Sequence, residues 1–140
     1  VNITRMEIDE VVEGHRALRA FLQRVHQDCG ADVLRADLEQ LQALLPHHFR
    51  YEEHAGGFLD QIRRSRRHGQ VLAARLEKEH VSLLATLAEL RDLAARDQDD
   101  ALKEAVRAFA LDLERHEREE AGLLAEPDPL GELPRPSDSD

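Results

Sequence analysis

Apolar residues recur at steps of three and four along nearly the whole chain, and before residue 126 only one proline, Pro46, interrupts them. That spacing lays a single stripe along a helix. Leucine, alanine, arginine and glutamate, all good helix formers, dominate the same stretch. The stripes divide it into four segments, at about residues 6–27, 33–64, 70–95 and 101–125. Four such helices joined by short turns predict an all-α, antiparallel up-down-up-down four-helix bundle as one domain over residues 1–125. Gly30 reads as the stop of the first helix, Asp32 as a cap of the second, and Asp99 or Asp100 as a cap of the last. Pro46 and the Gly56-Gly57 pair weaken the second segment, with a kink expected at the proline. Residues 126–140 hold four prolines, five acids and one arginine, so their charge is 1 − 5 = −4, and they read as a flexible tail.

Charge and cysteine content exclude several function classes. The formal charge is 19 − 29 = −10, against the basic face that nucleic-acid binding needs. No run is apolar enough to span a membrane, and residues 1–10 lack the apolar run of a signal peptide. The lone Cys29 cannot form an internal disulfide, which fits a reducing, cytoplasmic setting. The basic run Arg63, Arg64, Arg66 and Arg67 reads as a solvated turn.

The stripes themselves carry the functional signal. Each is broken by a histidine where leucine is expected: His15, His48, His80 and His116. Two of these are followed four residues later by a glutamate on the same face, His48-x-x-x-Glu52 and His116-x-x-x-Glu120. Buried carboxylates and imidazoles without partners are costly. They satisfy one another as a polar network, or they share a metal. Counted from the helix ends, the four histidines fall toward the same end of the bundle. Nitrogen and carboxylate donors without thiolate suit iron, with manganese or zinc the less favoured ions. Six donors overfill a four-coordinate zinc but suit two irons bridged by Glu52, Glu120 and an oxo or hydroxo group, leaving about two positions open. His26, His47, His54 and His68 lie off these stripes. Tyr51 and His47 are candidates for an additional ligand or a hydrogen-bond partner. Glu53, Glu79, Glu117 and Glu119 read as solvated helix charges.

Gly14-His15-Arg16-Ala17-Leu18, His47-His48-Phe49-Arg50-Tyr51-Glu52-Glu53, Glu79-His80-Val81-Ser82-Leu83 and His116-Glu117-Arg118-Glu119-Glu120, in that order, resemble the hemerythrin-like, or HHE cation-binding, domain over about residues 5–125. The ferritin-like alternative would use Glu-x-x-His spacing, which is not what this chain carries. Hemerythrins that carry oxygen reversibly have a further histidine where this chain has Leu76 and an aspartate where it has Ala121. The resemblance therefore implies a diiron site with fewer histidines, open to dioxygen, peroxide or nitric oxide. Its expected activities are binding of those molecules and catalase- or peroxidase-like turnover. The alternatives are an oxygen, redox or nitric-oxide sensor, read out by a partner chain, and an iron store or donor without catalysis.

Overall fold

The computed structural model describes residues 5–125, and their side chains over 14–123. Its elements are α1 (Arg5–His26), α2 (Ala31–Glu53), α3 (Phe58–Ser65), α4 (Gly69–Ala94) and α5 (Asp99–Ala125). No strand occurs among the described residues. The four long helices make the bundle, with α1 and α4 each packing on both α2 and α5. Short turns after α1 and α4 force antiparallel neighbours. The expected stripe residues Ile8 and Val11, and the tail, lie outside the described side chains.

The stripes become the core because each puts its leucines on the face turned inward. Leu18, Leu22 and Val25 of α1 meet Leu38, Leu41 and Leu45 of α2, Leu83, Leu87 and Leu90 of α4, and Leu102, Val106, Phe109 and Leu113 of α5, all buried. Arg35 closes this end of the bundle. Its guanidinium donates to the Ala94 carbonyl at 3.0 Å, the Arg96 carbonyl at 3.2 Å and Asp99 Oδ1 at 2.7 Å, tying α2 to the α4–α5 turn.

The turns depart from expectation in three ways. The first helix ends before Gly30: Asp28 takes the left-handed conformation (φ 53°), and Gly30 instead caps α2 with an extended backbone. Asp32, Asp99 and Asp100 lie within first turns rather than ahead of them, where their charge still complements the helix dipole. The segment over 33–64 is two helices, not one. The helix runs through Pro46, flanked by fully buried Leu45 and Phe49, and breaks at the glycine pair. Gly56 has φ 80°, and a Cβ on Gly57 would lie 2.7 Å from the Tyr51 carbonyl oxygen, so only glycine suits this corner.

The short helix α3 packs across α2 and α4, and its Leu59 and Ile62 join Ala73 and Leu76 in a second apolar cluster. The basic run is not wholly solvated. Arg63 reaches Glu77 of α4 at 2.8 Å, and the buried Arg66 guanidinium donates to the Leu123 carbonyl of α5. At the α3–α4 joint the helices touch backbone to backbone, and a Cβ on Gly69 would overlap the Ile62 carbonyl oxygen. Gly69→Ala is expected to destabilise the fold by about 3 kcal/mol, since no side-chain rotation relieves that overlap. Urea unfolding of the two proteins measures it.

Candidate metal centre

The centre lies between the two apolar clusters. His48, Glu52, His80, His116 and Glu120 are all buried, while the His15 side chain keeps 27% of its surface exposed. α2 ends at Glu53, so His48 sits near the end of its helix, level with the other three histidines. Glu52 is the pivot. Its Oε2 lies 3.2 Å from His48 Nε2 and its Oε1 lies 3.1 Å from His80 Nε2. Glu120 Oε2 lies 3.0 Å from His116 Nε2 and 3.3 Å from His80 Nε2. Two sets of donors result. One atom each from Glu52, His80, His116 and Glu120 falls within 4.8 Å of the others, and so does one atom each from His15, His48 and Glu117. The His15 and His48 rings meet edge to face at 4.7 Å. All six residues expected at the site are thus brought together, in two groups that Glu52 touches from between. Glu120 falls in one group only, rather than between both.

Three of the four glutamates expected to be solvated are part of the site. Glu117 Oε1 lies 3.2 Å from His15 Nδ1, and its Oε2 lies 3.9 Å from His48 Nε2. Glu53 Oε2 meets His80 Nδ1 at 2.5 Å, and Glu79 Oε1 meets His116 Nδ1 at 2.7 Å. When the ring is neutral, an Nδ1–H that donates outward fixes the tautomer and leaves the Nε2 lone pair facing the donor group, the form that takes a cation. These carboxylates run round the bundle, from α2 to α4, from α4 to α5 and from α5 to α1. Each is the sequence neighbour of an inward residue (Glu52, His80 or His116). It is turned about 100° round its helix into the seam with the next one. That adjacency is the sequence signal for them. Glu119 behaves as expected, pairing with Arg75 on the surface.

On α1 the residue in the corresponding place is Gly14, and a Cβ there would lie 2.8 Å from His48 Nδ1. The glycine makes room for the imidazole. Gly14→Ala is expected to tilt the His48 ring out of its group and to lower cation content by roughly one ion per chain, at about 1–2 kcal/mol in stability. Elemental analysis beside a thermal melt checks both effects.

Phe49, not singled out in the sequence, forms the dry wall toward the core. It stacks on His80 at 3.9 Å with 6° between the planes, and meets His116 edge-on at 5.7 Å. Tyr51 and His47 lie against each other at 4.8 Å, with His54 beyond, in an aromatic row along α2. Leu76 is fully buried in the second apolar cluster and Ala121 is exposed, so neither position supplies a donor.

The electrostatics show a site that holds protons where a cation would fit. Burial pushes the Glu52 carboxyl up, but contacts with His48 and His80 overcome it and hold the group well below the usual carboxylate range. Burial pushes Glu120 far up, the charges of Glu52 and Glu117 adding to it. Burial alone would lower His80, yet Glu120, Glu52 and Glu53 raise it to about 9. The Glu117 hydrogen bond raises His15 against its burial. Even so, six buried atoms find no hydrogen-bond partner within the described protein: both nitrogens of His48, Glu52 Oε1, His116 Nε2, Glu117 Oε2 and Glu120 Oε1. Native folds leave few such atoms, and here they all belong to the two donor groups. Nitrogens and carboxylate oxygens so arranged fit divalent cations.

No helix among the described residues is long and apolar enough to cross a membrane. No curated protein and no solved structure matches the chain. The family model of the hemerythrin HHE cation-binding domain matches residues 6–126, which takes in all four long helices and every donor described above. By that match the chain belongs to the hemerythrin HHE cation-binding domain family.

Proposed function

We propose that the protein is a non-haem diiron protein that binds dioxygen, peroxide or nitric oxide at a carboxylate-bridged iron pair. His15, His48, His80 and His116 are its nitrogen ligands and Glu52 its bridge, with Glu120 completing one half. The observation that carries this reading is Glu52, whose two oxygens face histidines of different donor groups at 3.2 and 3.1 Å. Iron, when bound there, supplies redox chemistry and open coordination positions. The chain's own part is to position and to dry. Glu53 and Glu79 hold the His80 and His116 rings, while Phe49 excludes water on the core side. These six nitrogen and carboxylate ligands overfill one four-coordinate zinc and suit two six-coordinate irons.

The test is to load the protein with ferrous iron without oxygen and then admit oxygen or peroxide. The expected result is a near-ultraviolet ferric absorption band, absent from a zinc-loaded control, and oxygen release from peroxide if the protein is catalase-like. An iron-loaded protein with no spectral response to oxygen, peroxide or nitric oxide would reject the ligand-binding reading. The iron-donor alternative draws its support from the exposed edge of His15. It predicts rapid loss of iron to a mild chelator.

A further inference from the structure

The two donor groups are not equivalent. All four residues of the Glu52–His80–His116–Glu120 group are buried. It brings two carboxylates, and both of its imidazoles are braced from outside by Glu53 and Glu79. The His15–His48–Glu117 group has one carboxylate of its own and shares Glu52, whose Oε2 faces His48 at 3.2 Å. Its His48 Nδ1 has no hydrogen-bond partner within the described protein, facing Gly14 instead of an acid. Its His15 and Glu117 side chains retain 27% and 14% of their surface, so this group is the one that reaches solvent.

We propose that the buried group is the resident cation site and that the His15–His48–Glu117 group is the exchange site, with Glu117 as its carboxylate ligand for a divalent cation. The inference rests on the reading of the centre as a two-cation site. Affinity for a cation rises with the rigidity of its ligands. Outer carboxylates on ligating histidines contribute about 10–100-fold to affinity. Both factors favour the buried group. Of the seven donors, His15 and Glu117 keep the most exposed surface, which makes this group the open side of the centre. Glu117 currently accepts from the His15 imidazole, so cation entry replaces a hydrogen bond that is already polar and leaves no charge stranded.

The test uses the full chain stripped by chelator and titrated with Co(II), followed by calorimetry and visible absorption. The expected result is two separate binding steps, the first at least about tenfold tighter. Glu117→Gln should leave the first step in place and weaken the second at least about tenfold. Glu79→Ala, at a half-exposed position, should weaken the first by about 10–100-fold and spare the second. Thermal melts of the stripped variants confirm that they fold. Two ions entering in one indivisible step, or Glu117→Gln weakening both steps equally, would overturn the assignment of unequal halves. Failure of the unaltered protein to bind any Co(II) would instead reject the two-cation reading itself.

Discussion

Glu52→Gln is expected to abolish loading of both cations and Glu120→Gln that of the buried group, and the two variants are expected to part company in the metal-free protein. Each removes a charge that a cation needs, and Glu52 faces both donor groups. In the metal-free protein the two carboxyls are shifted in opposite directions. Contacts with His48 and His80 hold Glu52 well below the usual carboxylate range, whereas burial pushes Glu120 well above it. Glutamine copies a protonated acid. It therefore suits the Glu120 position and breaks the pairs that Glu52 makes with His48 and His80, leaving His80 with the half-exposed Glu53 as its charged partner. Loss of one partner from a buried pair costs about 3–5 kcal/mol. Glu52→Gln should lower metal-free stability by about that much, while Glu120→Gln should leave it within about 1 kcal/mol. Denaturant unfolding in chelator, beside elemental analysis, measures the contrast. Equal stability loss in the two variants would contradict the opposite shifts of the two carboxyls.

Cation loading is expected to raise the melting temperature by more than about 10 °C and to reverse its response to alkali. At free metal near a thousand times the dissociation constant, binding stabilises by about 4 kcal/mol. A domain of this size gains several degrees per kcal/mol. In the metal-free protein His80 is raised from 6.5 to about 9. Its contribution is complete below pH 6.5 and is lost as pH rises through 9. Glu120, also raised, acts in the same direction. Metal-free protein should therefore melt lower at pH 9 than at pH 6.5. Cations displace those protons, so apparent affinity should climb over the same interval, with proton release on binding. Calorimetric melts at the two pH values, with and without metal, check both halves of the prediction. A loaded protein that weakens with pH as the stripped one does would rule out binding at these groups.

The bundle and the six inward donors could be read from spacing because burial punishes a polar residue on an apolar stripe. His80 between Leu76 and Leu83, or Glu120 after His116, stands out against its neighbours for that reason. Glu53, Glu79 and Glu117 did not stand out. Taken alone, each lies on a helix flank that looks solvated, and its role depends on which helix packs beside it. Phe49 likewise gains its place only when α4 brings His80 against it. The break between α2 and α3 was visible as a glycine pair, but its severity follows from the close approach of Gly57 to the Tyr51 carbonyl. Gly30 caps α2 instead of ending α1 because Asp28 supplies the left-handed turn that a glycine usually provides.

The most direct test is the iron content of the protein purified from iron-replete cells, beside that of His80→Ala and Glu52→Ala. About two irons per chain are expected, falling to one or none in the variants. A folded protein that carries no iron, or whose iron survives both substitutions, would contradict the diiron reading.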